Sequence, residues 1–446
     1  MSDRLFGTDG MRGVALQPPL DRDTVTRLGA ALFEHLREAG RPTRVLLAGD
    51  TRVSTGTLAE WVGGAFAARG GEVAWAGVLP TPAVSHLLRD LGGFGAGVVV
   101  SASHNPADDN GIKLVGADGV KWPVDEETAL EARLFALAGP PASAPLPVAN
   151  GALAARTLEL ILATLAPGAL DGLHVIVDAA NGAASALAAP FFTRLGARVR
   201  VIHDRPDGRN INASCGALHP DALAAEVVDL GADAGVALDG DADRAILIAP
   251  SGRVLDGDDV LLVWARALAA AGRLPGMVAV ATVMSNLGLE VALRRAGITL
   301  LRSAVGDREV WDVMQQSGAA LGGEQSGHVI CSHLSASGDG LLTAAHVMAI
   351  AHASGRSLAD LADLHRFPQV LLNVRVATRR PLDSLDATRT AIRAAEAALD
   401  GHGRVFVRYS GTEPLLRIMV EADSEDEARG TAERLAATAR AELGAP

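Results

Sequence analysis

Three stretches of this chain repeat one order of elements, and that repetition constrains the fold more than any single residue does. Residues 45–50 read as an apolar strand, followed by a small polar loop, an Ala-rich helix, Gly70-Gly71 and a second strand at 72–75. Residues 174–178 open the same order, through Asn181-Gly182, a helix, Leu195-Gly196 and a strand at 198–202. Residues 278–283 open it again, through Ser285-Asn286, a helix at 287–295, Ala296-Gly297 and a strand at 298–301. Such units predict three topologically related α/β domains. Right-handed crossovers then give mixed, mostly parallel sheets.

At 446 residues the chain is too long for one hydrophobic core. The Pro/Ala-rich stretch 139–148 reads as a linker, and further boundaries fall near 250–252 and 366–368. The α/β domains are therefore expected at 1–150, 151–251 and 252–367. Residues 368–446 differ from them. A strand at 369–377, a helix at 385–399, two strands flanking 410–414 and a helix from Glu425 predict a C-terminal α+β domain. The expected assembly places these domains around a central cleft.

A net charge of −12 argues against a general nucleic-acid binder. It leaves room for a small anionic substrate in a local positive pocket. No apolar run approaches the ~18 residues of a membrane span. The start, Met1-Ser-Asp-Arg-Leu-Phe-Gly, lacks the apolar core of a signal peptide. Cys215 and Cys331 make neither a disulfide framework nor a zinc site, which fits a reducing cytoplasm. Among 40 basic residues only Lys113 and Lys121 are lysines, and both follow Ser103 within twenty residues. Arg serves a surface as well as Lys does, so their placement points to chemistry that needs an amine.

Ser101-Ala-Ser103-His104-Asn105-Pro106 ends the apolar run 97–100. A β-branched run that stops at a small hydroxyl puts that hydroxyl at the C-terminal edge of a sheet, where ligands bind. Asn-Pro then stops the strand and holds Ser103 on a tight loop. Asp239-Gly-Asp241-Ala-Asp243-Arg244 follows the strand 234–238. Three mutually repelling carboxylates converging at a Gly bend call for a divalent cation, and an oxygen-only set fits Mg2+. Arg408-Tyr-Ser410-Gly411-Thr412 sits between two strands, with Arg404 on the face of Arg408 and Arg417 just beyond. Hydroxyls, a free Gly N–H and arginines suit phosphate, although a plain hairpin turn also fits. Gly323-Glu324-Gln325-Ser326-Gly327-His328 carries groups suited to sugar hydroxyls, and His328 could move a proton near neutral pH. Arg12, in the Gly-spaced segment 6–13, could meet a phosphate. A hydroxyl, a metal and an anion clamp together indicate phosphoryl transfer. The chain has no ATP-loop or kinase signature, so ATP is not the expected donor.

In order, spacing and sequence these motifs resemble the α-D-phosphohexomutase superfamily over essentially the whole chain. Residues 6–13, 282–288, 305–308 and 323–328 resemble its branch acting on amino-sugar phosphates, with Gln325 weighing most. Departures are small: Leu16 stands where the family often has Asn, and Glu309 where it often has an aromatic.

The resemblance implies that Ser103 is a phosphoserine and that Mg2+ is bound by Asp239, Asp241, Asp243 and a Ser103 phosphate oxygen. It implies interconversion of glucosamine 6-phosphate and glucosamine 1-phosphate through a 1,6-bisphosphate, with glucosamine or glucose 1,6-bisphosphate as activator. Arg244 would neutralise charge on the moving group. Ser410, Gly411, Thr412 and Arg417, with Arg408 beside them, would hold the distal phosphate. Glu324 and Ser326 would grip sugar hydroxyls. Lys113, His104 or His328 would manage the hydroxyl proton, with Lys113 alternatively an electrostatic clamp. A cytoplasmic location, a homodimer and a place upstream of UDP-N-acetylglucosamine and cell-wall synthesis complete the expectation. The rivals are a mutase of glucose or mannose phosphates, a metal-dependent phosphatase using Ser103, and a silent sugar-phosphate binder.

Overall fold

In the computed structural model, residues 4–7, 9–138, 141–410 and 414–444 are described. The chain divides into two compact units, Met1–Thr282 with Leu301–Asp363, and Val283–Leu300 with Leu364–Pro446. Among the described residues no helix is long and apolar enough to cross a membrane.

The first sheet region runs β1 (Met11–Val14), α1 (Arg22–Glu38), β2 (Arg44–Gly49), α2 (Thr55–Ala68), β3 (Glu72–Val78), α3 (Thr81–Leu91), β4 (Ala96–Val100), β5 (Asp109–Gly116) and α4 (Val124–Ala136). Its strands lie in the order β1-β5-β4-β2-β3, with β2 parallel to β3 and β4, and β5 antiparallel to β4. β4 is buried at every residue, as a strand covered on both faces must be. Asp21 caps α1 by accepting from the Thr24 N–H. Val25, Leu28, Leu32 and Leu36 of α1, at helical spacing, then share a core with Leu58, Val62 and Phe66 of α2 and with Val45, Val98 and Val100. Residues 141–150 are irregular but not loose. Ala144 donates to the Gly64 carbonyl at 2.9 Å, and Leu146 packs on this core.

The next region runs α5 (Gly151–Leu162), β6 (His174–Asp178), α6 (Ala188–Arg194), β7 (Arg198–Ile202), α7 (Asp221–Asp229), β8 (Ala234–Leu238), β9 (Ala245–Ile248) and β10 (Val254–Leu255). Its order is β10-β9-β8-β6-β7, with β6 parallel to β7 and β8 and β9 antiparallel to β8. The third runs α8 (Gly257–Ala270), β11 (Val278–Thr282), α9 (Leu287–Arg295), β12 (Thr299–Ser303), α10 (Asp307–Ser317), β13 (Leu321–Gly323), β14 (Val329–Cys331), α11 (Gly340–Ser354) and α12 (Leu358–Leu361). Its order is β12-β11-β13-β14, with β13 parallel to β11 and β14 antiparallel to β13.

The three sheets follow one plan, as the repeated sequence order predicts. The first strand is central, the second lies outside it, the third lies on its other side, and the fourth turns back against the third. The turn from third to fourth strand therefore always falls at the C-terminal end of a parallel pair. Those turns are residues 101–108, 239–244 and 324–328, the three segments singled out from the sequence.

The second unit contains β15 (Gln369–Arg375), α13 (Asp386–Leu399), β16 (Arg404–Tyr409), β17 (Leu415–Glu421) and α14 (Glu425–Leu443), with an all-antiparallel sheet ordered β15-β17-β16. Ala428, Ala432, Leu435, Ala439 and Leu443 of α14 cover Val374, Leu416, Ile418 and Val420. Asn286, the cap of α9, exchanges hydrogen bonds with the Phe367 backbone at 3.0 Å and donates to Glu421 at 3.2 Å.

Candidate active site

Ser103 is buried, and its φ of +52° places it in the left-handed region that a non-Gly residue occupies only when its surroundings insist. The surroundings are specific. Its N–H donates to Ser101 Oγ at 2.9 Å, and that hydroxyl donates to Asp50 Oδ2 at 2.6 Å. Arg52 is fully buried and paired with Asp50 at 2.9 Å. It donates to the carbonyls of Ser103 at 3.0 Å, Asn105 at 2.8 Å and Asp109 at 3.0 Å, and also to that of Pro106. Asn212 adds donors to the Ser103 and Asn105 carbonyls at 2.9 and 3.0 Å. Buried carbonyls require donors, and these residues supply them. The sequence reading missed Asp50, Arg52 and Asn212. A signal existed for the first two, since they end the apolar run 45–50 as Ser101 and Ser103 end the run 97–100.

The Ser103 hydroxyl donates to Asp239 Oδ2 at 2.6 Å. Asp239, Asp241 and Asp243 are buried, with ligand oxygens all within 4.8 Å of one another. Gly240 allows this approach, because a Cβ there would lie 2.6 Å from the Ser103 carbonyl oxygen. Burial pushes the Asp239 and Asp243 carboxyls up; Asp243 and Asp241 push Asp239 the same way, and Asp241 does so for Asp243. For Asp241 burial pushes up too. Lys113 at 2.9 Å and the Thr81 hydroxyl at 2.5 Å outweigh it and bring the carboxyl down to about 2. Asp241 Oδ1 and Asp243 Oδ1 are buried without a hydrogen-bond donor. Orphaned oxygens on two of three crowded carboxylates fit a hard divalent cation.

Burial would pull the Lys113 ammonium down. Asp241, Asp9 at 3.2 Å and Asp243 at 3.7 Å outweigh burial and hold it above the ordinary lysine range. His104 goes the other way: burial first, then Arg244 and Arg12, push it down to about 4, so its imidazole is neutral near pH 7. Its Nδ1 lies 3.2 Å from Ser103 Oγ. Arg244 Nε lies 3.7 Å from Asp243 and 4.0 Å from Asp239.

Arg12 bonds the Asp9 carboxylate and donates to the Ala102 carbonyl at 3.1 Å and Asn105 Oδ1 at 3.3 Å, so it too braces the serine turn. Asp9, which sequence reasoning did not single out, also accepts from Lys121 at 2.8 Å. Lys121 reaches Asp307 at the start of α10 at 2.9 Å. Both lysines thus sit among carboxylates rather than at the surface.

A cavity of about 480 Å³ opens among these groups, lined in part by Arg12, His104, Asp243, Arg244, Glu324 and His328. Glu324 Oε1 accepts from the Gly306 N–H at 3.0 Å, and Ser326 Oγ stands 3.4 Å from Glu324 Oε2. His328 is buried and its Nδ1 has no hydrogen-bond partner. Turns from three sheets and the N-terminal loop thus meet at one cavity.

In the second unit, Arg408 and Arg417 face each other across β16 and β17, and with Met284 and Phe406 they line a hollow of about 40 Å³. Two directly opposed guanidinium groups repel, which makes the face receptive to an anion. Arg404 pairs with Glu421 at 2.9 Å and donates to the carbonyls of Val283 and Ser285 at 2.9 and 3.0 Å. Ser410 is buried and donates its N–H to the Leu415 carbonyl at 2.8 Å. Gly411 and Thr412 lie outside the described residues.

Comparison with known proteins agrees with this plan along the whole chain. Models of the phosphoglucomutase/phosphomannomutase family match as alpha/beta/alpha domain I at residues 3–138, domain II at 159–252, domain III at 256–367 and the C-terminal domain at 371–438. The fold is similar to that of a phosphoglucomutase/phosphomannomutase family protein from Burkholderia thailandensis. The TM-score is 0.84 at 25% identity, covering 100% of this chain and 99% of that one. Fold and matches together define a phosphohexomutase, an isomerase.

The chain is 48% identical over 446 residues to the phosphoglucosamine mutase of Solibacter usitatus, with 100% of each covered. It is 45% identical over 453 residues to that of Desulfovibrio desulfuricans, covering 99% of this chain and 100% of the relative. The chain belongs to the phosphoglucosamine mutase family.

Proposed function

We propose that this protein interconverts glucosamine 6-phosphate and glucosamine 1-phosphate, with Ser103 carrying the transferred phosphoryl group. The observation that carries the reading is the Ser103 hydroxyl at 2.6 Å from Asp239, inside a buried carboxylate triad beside a cavity. In the first half-reaction the Ser103 O–P bond breaks and a bond forms from phosphorus to the C1 oxygen. The C1 proton ends on Ser103. The 1,6-bisphosphate turns over within the site. Its C6 O–P bond then breaks, a bond forms from phosphorus to Ser103 Oγ, the Ser103 proton ends on the C6 oxygen, and glucosamine 1-phosphate leaves.

Asp239, Asp241, Asp243 and a phosphate oxygen on Ser103 would hold Mg2+. When bound, that ion neutralises charge on the transferring group. Arg244 adds positive charge on the same side. His104, neutral and 3.2 Å from Ser103 Oγ, is placed to take and return the proton. Lys113, held as an ammonium by three carboxylates, serves as the electrostatic clamp, and His328 stands at the cavity wall as a second proton carrier. Glu324 and Ser326 grip sugar hydroxyls. Arg12, Arg408, Ser410, Gly411, Thr412 and Arg417 hold phosphate. A glucosamine or glucose 1,6-bisphosphate primes Ser103. The domains meet near 150, 251 and 367, and the protein acts as a homodimer in the cytoplasm, where it supplies UDP-N-acetylglucosamine synthesis.

The test is kcat/KM for glucosamine 6-phosphate, glucose 6-phosphate and mannose 6-phosphate, with Mg2+ and a trace of bisphosphate. A preference of about tenfold or more for the amino sugar, about 1.4 kcal/mol in the transition state, is expected. Preference for a neutral sugar overturns the sugar assignment and leaves the chemistry standing. Steady release of inorganic phosphate without mutase turnover would make the protein a phosphatase instead.

A further inference from the structure

Away from the active-site triad, one other group of metal-ligating side chains converges among the described residues. It comprises Asp178, His203 and Cys215, whose ligand atoms all lie within 4.8 Å of one another. The fold makes this meeting. Asp178 ends β6 and pairs in register with Ile202, and His203 follows Ile202, so two parallel neighbours deliver both residues to one sheet edge. Cys215 arrives because the next N–H, of Gly216, donates to Asp178 Oδ2 at 2.8 Å. The backbone bends hard to achieve this. Ala180, Asn181, His203, Asn212 and Ser214 all have φ between +48° and +58°.

The three side chains do not satisfy one another. His203 Nδ1 lies 3.1 Å from Asp178 Oδ2, and that buried nitrogen has no hydrogen-bond partner. Cys215 Sγ is buried and meets the Asn181 amide at 4.0 Å. A carboxylate, an imidazole and a thiolate make a ligand set of charge −2, which a divalent ion balances.

We propose that Asp178, His203 and Cys215 form a second metal site, which takes a borderline transition cation of the Zn2+ class with water as its fourth ligand. Mg2+ is a hard ion with oxygen ligands, so ligand chemistry divides cations between this site and the Asp239–Asp241–Asp243 triad. The His203 side chain is 35% exposed and provides the entry path. On binding, the S–H bond of Cys215 breaks, a sulfur–metal bond forms, and the proton leaves to solvent. The effect reaches the nucleophile through Asn212. Its N–H donates to the Ala180 carbonyl at 2.9 Å, and its side chain holds the Ser103 and Asn105 carbonyls. The ion clips the segment 203–216 that braces the serine turn.

The experiment is a Co2+ titration of the full chain in excess Mg2+, followed by absorption. Tetrahedral d–d bands with thiolate-to-cobalt charge transfer are expected, saturating at one ion per chain and lost on adding Zn2+. Cys215→Ser removes the charge-transfer band. His203→Gln, at a part-exposed ring, weakens binding by more than the roughly tenfold that losing even an outer partner costs. Asp239→Asn leaves bands and affinity as they were, which separates this site from the triad. Zn2+ raises the melting temperature of the parent chain and not that of His203→Gln. A spectrum without sulfur ligation, or a His203→Gln chain that titrates like the parent, overturns the proposal. If Cys215→Ser does not fold, the His203→Gln titration and the parent band shape still decide it.

Discussion

The turn after β4 and the turn after β8 occupy one place in a shared sheet plan, yet they are held in opposite ways. In the first, cations bind backbone: Arg52 takes the carbonyls of Ser103, Asn105, Pro106 and Asp109, and Arg12 takes that of Ala102. In the second, cations bind side chains: Lys113 and Arg244 sit against the carboxylates of Asp241, Asp243 and Asp239. Carbonyl contacts fix a shape whatever charge stands at the site. Carboxylate contacts balance a charge, and on the proposed reading that charge changes as an ion and a phosphoryl group come and go. The serine turn is therefore held in shape by its backbone, and the acidic turn is held in charge by its side chains.

The largest effect should come from Ser103→Ala, which removes the group both turns serve. We expect loss of mutase turnover by about 10⁴-fold or more, the scale of losing a covalent nucleophile, and loss of the phosphorylated species in intact mass. Retained turnover would void the comparison, because neither turn would then be organised around Ser103. Next is Asp241→Asn. Expected are a fall of about 10²–10³-fold in kcat and a raised Mg2+ requirement. Chelation should silence the parent enzyme, and Mg2+ should restore it. An unchanged Mg2+ titration would show the acidic turn to be scaffold as well.

Arg52→Met sharpens the contrast from the other side. It leaves Asp50 charged, buried and unpaired, at a cost of about 3–5 kcal/mol. Stability should fall while the Mg2+ requirement of the surviving folded enzyme stays as it was. A changed Mg2+ requirement would mean that the two turns are not separately held.

The smallest effect belongs to neither turn and serves as a control. Burial, with Arg273, holds His346 down to about 4 against an ordinary 6.5. The unfolded chain takes up this proton as pH falls through 6.5 and the folded chain does not. Its contribution is therefore complete above 6.5 and is lost as pH drops toward 4, amounting to at most about 3 kcal/mol. His346→Gln should flatten the fall in melting temperature over that window. An unchanged slope would place the acid sensitivity elsewhere.

How much of this was legible in sequence follows from the distances involved. Ser103, Asp239, Asp241, Asp243 and Glu324 lie in short turns directly after apolar strands, so a local pattern exposes them. The repeat of strand, helix and strand exposed the three related sheets for the same reason. The residues that hold the site act across the chain and leave no local mark. Thr81 reaches Asp241 over 160 positions, Lys121 reaches Asp307 over 186, and Asn212 reaches Ser103 over 109. Asp178, His203 and Cys215 show the limit most clearly, since they stand apart along the chain and only the sheet edge brings their ligand atoms together.

The two lysines carry one last consequence. Lys113 and Lys121 show 5% and 13% of their side chains to solvent, and every other basic side chain except histidine is arginine. A lysine-specific protease therefore has only two places to cut, both among the carboxylates around Asp9. Cleavage would report the opening of that centre and almost nothing else. The native chain should survive as one band where the opened chain yields three fragments, ending at 113, 121 and 446. Composition has left this protein with a built-in proteolytic gauge of its own active site.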